Sequence, residues 1–301
     1  MENKKPKAVA IDGNCLMYRC FFATLNQLEY YKKNNLKPVN ALNLFIMSVL
    51  KILKRNDYQY GIIAFDAGKT TFRTEQYSDY KKNRKPMPDA LYDQLSDIQD
   101  VVEPLGFFKL IKVNYEADDL IGSFNKLMNQ NNIEVDIYTS DRDMLQLVDE
   151  DTTVQMLKSG TSVIQEYNIN NFSSLFDGLW PYQIPEYKGL AGDSSDHIKG
   201  IPGVGHQTAV KLLTYYKTID NLFAKINETD LISVKLKEKI IDHKDQAFKC
   251  KALATIYQDL LTNKSIANFK LNSLNNSYLE ELTNKYHLHS LKRFIANWKE
   301  M

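Results

Sequence analysis

Four short apolar runs punctuate the first half of the chain: Ala8 to Ile11, Gly61 to Phe65, Phe107 to Val113 and Val135 to Thr139. Rich in Val, Ile and Phe, they read as buried strands. Stretches near 39–55, 89–103 and 116–130 carry apolar residues at helical spacing, and a fifth strand is expected near 152–157. Strand alternating with helix implies an α/β fold, a mostly parallel sheet with helices on both faces. From about residue 183 the strand pattern stops. Short helices separated by turns take over, with longer helical runs expected at 235–261 and 278–299. No Ser/Gly-rich linker divides the halves, so an α/β region (1–182) is expected to carry a mostly helical region (183–301) packed on its sheet.

Composition narrows this little but usefully. At 301 residues, 44% hydrophobic and 25% charged, the chain is neither disordered nor fibrous. Its longest uncharged apolar run, Ala41 to Leu50, is about half a membrane span. The apolar run that follows the N-terminal lysines ends at Asp12, too early for a secretory signal. Three cysteines (Cys15, Cys20, Cys250) have no metal-ligand spacing and are too few for a disulfide framework. A reducing, cytoplasmic setting without membrane association is expected, with the cysteines as buried thiols and Trp180 and Trp298 as core anchors.

The acids change the picture. Asp12 ends the first strand and Asp66 the second; Asp141 and Asp143 follow the fourth; Glu116, Asp118 and Asp119 open the helix after the third. In an open α/β sheet, ligands sit beyond the carboxyl ends of the strands, so seven carboxylates meet at one edge. Any one of them has a plain alternative as a turn or helix cap. Together they do not, because two like charges ~4 Å apart repel by about 4 kcal/mol at an effective dielectric of ~20. All-oxygen ligands point to hard cations, Mg²⁺ or Mn²⁺, and the number of acids suits two ions. Asp193 and Asp196, in GDSSD at 192–196, bring the candidates to nine.

Two further segments suggest nucleic acid. Residues 69–85, KTTFRTEQYSDYKKNRK, interleave Lys69, Arg73, Lys81, Lys82, Arg84 and Lys85 with Phe72, Tyr77 and Tyr80, as suits a single strand. So polar a segment, 70–88, is expected to bury little. GIPGVG at 200–205, opening a helix, presents backbone N–H groups to an anion. Lys199, Lys211 and Lys217 flank it without a carboxylate between 197 and 219, which fits a duplex phosphate contact.

IDGN at 11–14 with YRCFFA at 18–23, FDAGKTTFR at 65–73, YKKNR at 80–84, YEADD at 115–119, TSDRDMLQL at 139–147 and GDSSDHIKGIPGVG at 192–205 run in an order that resembles the 5′-nuclease family. That family comprises the 5′-nuclease domain of bacterial DNA polymerase I, phage 5′-exonucleases and flap endonucleases. The resemblance covers about residues 7–260 and implies a PIN-like core, a helical arch at about 70–100 and a helix–three-turn–helix at about 197–216. It implies one metal held by Asp12, Asp66, Glu116 and Asp118, with Asp119 beside them. A second would be held by Asp141, Asp143, Asp193 and Asp196, with Asp118 as a candidate bridge. Lys81 and Arg84 would touch the scissile phosphate, making them, with Asp118, the candidate catalytic residues. Tyr18 and Arg19 would line the gateway. Arg73, Tyr80, Lys199, Gly200, Gly203, Gly205 and Lys211 are the other candidate DNA contacts, with K⁺ at the hairpin 197–205.

A Mg²⁺-dependent 5′-3′ exonuclease and flap endonuclease is therefore expected, a monomer acting on DNA with a 5′ flap, nick or free 5′ end during replication and repair. A non-catalytic DNA-junction binder and an RNA-cleaving nuclease are the rivals. One departure stands out: His206 and Gln207 occupy the place where the family carries a lysine, which lowers the expected duplex affinity.

Overall fold

The computed structural model describes residues 5–159 and 163–299. The apolar runs become β1 (Lys7–Asp12), β2 (Tyr58–Thr71), β3 (Phe108–Asn114), β4 (Glu134–Thr139) and β5 (Thr152–Ser159). β6 (Val163–Tyr167) completes a sheet of order β3-β2-β1-β4-β5-β6. Every pairing is parallel except β5 with β6, which is antiparallel. Largely exposed, with Gln165 and Glu166 in its middle and only Tyr167 buried, β6 is an edge strand without the continuous apolar signal of its neighbours, and the sequence reading missed it.

Helices cover both faces. On one lie α1 (Gly13–Ala23), the short α2 (Leu28–Lys33), α3 (Asn40–Leu53) and, after the five-residue α4 (Phe72–Gln76), α5 (Asp89–Asp100). Leu16, Phe45, Val49 and Leu91 pack there against Val9, Ile11, Ile63 and Phe65 of the sheet. On the other face α6 (Ala117–Gln130) buries Leu120, Ile121 and Phe124 against Ala8, Ala10, Ile62 and Ile137. β1 has no exposed core position because both faces are covered.

Beyond the one-turn α7 (Phe172–Leu175), a third core gathers α8 (Ile184–Ala191), α9 (His206–Tyr216), α10 (Ile219–Ala224), α11 (Val234–Asp242) and α12 (Lys244–Ala254). The helical run expected at 235–261 is thus broken at His243 and ends at Ala254. The run at 278–299 is likewise two helices, α13 (Asn276–Lys285) and α14 (His289–Lys299). His287, at φ 51°, stops α13 with a left-handed residue. Leu279, Leu288 and Leu291 from this pair return to the first core, beside α3. Trp180 is 42% exposed and is no core anchor; the Trp298 side chain lies outside the described residues. Cys20 and Cys250 are buried, but Cys15 is only half-buried.

Candidate active site

Strand order reverses direction about β1, whose neighbours are β2 and β4, so the crevice between the ends of β1 and β4 is the switch point at which open α/β sheets bind ligands. Asp12 stands at one lip and Asp141 at the other. A cleft of about 1760 Å³ opens there. Asp12, Asp66, Glu116, Asp118, Asp141, Asp143, Asp193 and Asp196 all line it.

Local backbone chemistry fixes several of these acids. Asp12 caps α1, its Oδ1 accepting from Cys15 N at 2.9 Å, while Oδ2 accepts from Thr139 Oγ1 at 2.9 Å. Asp66 accepts from Ala117 N at 2.8 Å and from the Asn14 amide. Asp141 caps the turn after β4, accepting from Asp143 N at 2.9 Å. Capping and clustering are one arrangement here: helix N-termini aim their dipoles at the acids. Burial, with the neighbouring Asp141 and Asp66 charges, pushes the Asp12 carboxyl up to about 7. Burial and Asp141 likewise push Asp143 up to about 7, despite Lys188. Asp118 is held well above the usual carboxylate range by burial and by Asp141, with Lys81 opposing. These acids are mutually repelled.

Asp119 belongs elsewhere. Fully buried, it receives both terminal nitrogens of Arg73 at 2.8 and 2.7 Å. It also accepts from Glu116 N and Tyr257 N at 3.1 and 2.9 Å. All its lone pairs serve the fold, so it is a helix cap and counter-ion rather than a metal ligand. Arg73 is correspondingly unavailable to DNA. Its side chain is 3% exposed and also bonds Glu116 Oε2 and the carbonyls of Leu253 and Thr255. Tyr80, 5% exposed, gives its hydroxyl to Glu116 at 3.1 Å and is no strand contact either. With Thr71, Arg73 and Tyr80 buried, the segment 70–88 is anchored rather than loose. Over the arch expected at about 70–100 the chain forms the five-residue α4, then turns, then α5 (Asp89–Asp100).

Cations already neutralise part of the cluster. Lys81 Nζ lies 2.8 Å from Glu116 Oε1, and its backbone N–H donates to Asp196 O at 3.1 Å. Arg84 reaches Asp196 Oδ1 at 2.9 Å. Lys188, from the middle of α8, lies between Asp143 and Asp193 and bonds both. Burial disfavours the Asp193 anion, but Lys188 and Ser195 outweigh it and hold the carboxyl at about 2. The same lysine fails to do this for Asp143 because that group is buried more deeply and faces Asp141. Among the described residues no three carboxylate, histidine or cysteine groups converge tightly enough to hold an ion as they stand; Lys81, Arg84 and Lys188 sit on the acids instead. Sequence reading missed Lys188, along with Asn14 and Thr139, because a lone lysine or hydroxyl has no signature until the fold turns it inward.

The hairpin is tied to the acids through two glycines. Gly192 (φ 76°) and Gly200 (φ 61°) pack back to back, and a Cβ on either would strike the other's backbone. Asp193 and Ile198 exchange backbone hydrogen bonds at 2.7 and 2.8 Å. Gly200 is buried in this contact and unavailable to a phosphate, whereas Gly203 and Gly205 are exposed at the start of α9. Lys199 is 64% exposed, 3.6 Å from Asp79, and Lys211 Nζ donates to Leu231 O at 2.7 Å. Tyr18 and Arg19 line the cleft, as does His206.

The chain matches the model of the 5′-3′ exonuclease N-terminal resolvase-like domain over residues 7–176 and that of the 5′-3′ exonuclease C-terminal SAM fold over 179–277. It is 43% identical over 284 residues to a 5′-3′ exonuclease of Mycoplasma pneumoniae, covering 94% of this chain and 97% of that one. It is 36% identical to DNA polymerase I of Bacillus subtilis over 272 residues, 90% of this chain and 30% of that protein. The fold is that of the bacteriophage T5 D15 flap endonuclease in a complex with DNA and metal ions: TM-score 0.67, 18% identity, 98% of this chain and 100% of that one. The catalytic core of Rad2 with DNA substrate is also similar, with a TM-score of 0.61 at 15% identity over 94% of this chain and 88% of that one.

Proposed function

The chain belongs to the 5′-3′ exonuclease family, and from that premise we propose that it is a Mg²⁺-dependent 5′-3′ exonuclease and flap endonuclease acting on DNA with a 5′ flap, nick or free 5′ end. The observation that carries this reading is the single cleft holding eight carboxylates, three of them pushed above the usual range by burial and mutual repulsion.

The donor set fits hard divalent ions: oxygen ligands, crowded and short of positive charge. Asp12, Asp66, Glu116 and Asp118 would hold one ion, and Asp141, Asp143, Asp193 and Asp196 the other, Asp118 being a candidate ligand for either. Bound ions supply Lewis acidity and charge at the scissile phosphate. The chain's own groups do the rest. Lys81, whose backbone N–H bonds Asp196, and Arg84 at the cleft rim would hold a phosphate with Glu116 and Asp196 neutralised. There they stabilise charge as it develops on the phosphoryl oxygens. A water attacks phosphorus in line, the bond to the 3′-oxygen breaks, and 5′-phosphate and 3′-hydroxyl ends result. Gly203, Gly205 and Lys199 would grip the duplex, with K⁺ at the hairpin and the chain acting as a cytoplasmic monomer in primer or flap removal.

Cleavage of 5′-labelled flap, nicked and single-stranded DNA, in Mg²⁺ and in chelator, tests the proposal. Metal-dependent release from the 5′ end supports it; no cleavage of any substrate overturns it.

A further inference from the structure

Outside the cleft, three aromatic rings form a row anchored at both ends on the Arg73–Asp119 pair: Arg73 lies 4.6 Å from the Phe72 ring, and Tyr257 N bonds Asp119. Phe72, at the start of α4, lies 5.6 Å from Tyr115, and Tyr115 lies 5.8 Å from Tyr257 with their planes inclined by 28°. Lys112 Nζ stands 5.3 Å over the Tyr115 ring. Tyr257 is 42% exposed. Phe72 and Tyr115 are half-buried, and Tyr257 is the open end of the row. Lys112 has no carboxylate partner within salt-bridge distance among the described residues, and Lys69, at the cleft rim, has none either. A cation beside an exposed ring is the composition that receives phosphates and stacked bases.

Helix α12 places the row relative to the cutting site. Near its start Gln246 bonds the Gly200 carbonyl of the hairpin. Further along, Cys250 and then Leu253 pack with Tyr80 and Ile198, next to Lys81. At its end the Leu253 and Thr255 carbonyls hold Arg73, and two residues later Tyr257 joins Tyr115 and Phe72. Hairpin, Lys81 and aromatic row therefore follow one another along a helix about 15 Å long. Tyr115 also directly precedes Glu116 of the cleft.

We propose that Tyr257, backed by Tyr115 and Phe72, forms with Lys112 a stacking subsite for unpaired 5′ nucleotides beyond the bond being cut. A duplex interior offers no free base faces, so the subsite selects single-stranded 5′ extensions. The inference rests on the nuclease reading, with duplex gripped at the hairpin and chemistry at Lys81.

The test compares wild type, Tyr257→Ala, Tyr257→Phe and Lys112→Ala. Binding is measured in chelator, and single-turnover cleavage in Mg²⁺, on three DNAs: a nicked duplex, the same duplex with a short 5′ flap, and that flap with abasic residues. Tyr257→Ala should weaken flap binding by about fivefold or more, the lower end of one lost base stack, and leave the nicked duplex unchanged. Tyr257→Phe should behave as wild type. The abasic flap should bring wild type down to the Tyr257→Ala level, and Lys112→Ala should weaken both flaps alike. Equal affinity of Tyr257→Ala and wild type for the flap overturns the subsite, as does equal weakening on flap and nick. Failure of the nuclease reading looks different: wild type would then cleave none of the three DNAs, whatever the binding pattern.

Discussion

Replacing Arg73 with alanine separates the fold from the active site more sharply than any change among the acids. The guanidinium makes five hydrogen bonds: two to Asp119, one to Glu116 and one each to the carbonyls of Leu253 and Thr255. Both partners of the ion pair are buried, at 3% and 0% side-chain exposure. Removing one member of such a pair leaves an uncompensated buried charge and costs about 3–5 kcal/mol. Asp119 keeps two backbone donors, which places the expected loss toward the lower end, about 3 kcal/mol. At roughly 2–4 °C per kcal/mol for a chain somewhat smaller than this one, the melting temperature should fall by about 6–12 °C. Arg73→Ala with Asp119→Asn should recover part of the loss, since the stranded charge is gone. The assay is thermal unfolding in chelator, with DNA binding measured well below the transition. An unchanged melting temperature with weakened DNA binding would refute the reasoning and return Arg73 to the DNA surface.

Three other outcomes follow from the same geometry. Divalent metal should raise the melting temperature, because it neutralises carboxylates crowded only in the folded state; no shift at saturating Mg²⁺ or Mn²⁺ contradicts the clustered site. Without metal, stability should fall as pH rises from about 4 to about 7. Asp12 and Asp143 bind protons more tightly folded (about 7) than at the ordinary 3.8, so their contribution is complete below the unfolded value and lost through the folded one. Melting curves in chelator should show that slope and curves in Mg²⁺ a flatter one; a metal-free protein that gains stability over this range contradicts it. Lys188→Met should lower metal-free stability, since Asp143 and Asp193 lose their shared cation, and Mg²⁺ should recover more stability in this variant than in wild type. Equal gains in calorimetry would show that Lys188 and the metal do not compete.

What could be read in advance follows physical lines. β1, β2 and β4 are legible because both their faces are buried, which imposes a continuous apolar run; β6, exposed at an edge, leaves no such trace. The acids are legible because strand ends in a parallel sheet converge. Their division between chemistry and scaffold is not: Asp118 and Asp119 are neighbours in sequence, yet only the fold shows one facing the cleft and the other clamped on Arg73. The same holds for 70–88, where basic residues suggest a solvated segment while Arg73 and Tyr80 turn inward onto Asp119 and Glu116. Lys188 is invisible beforehand because its role depends wholly on where α8 points it.

The central claim is that the carboxylate cleft performs the chemistry while the hairpin provides the grip. Asp118→Ala tests it most directly, by single-turnover cleavage of a 5′-labelled flap in Mg²⁺ beside binding of the same DNA in chelator. Cleavage should fall by several orders of magnitude while binding is kept or tightened, one negative charge near the phosphates having been removed. Cleavage at the wild-type rate, or loss of binding and cleavage together, would contradict the account.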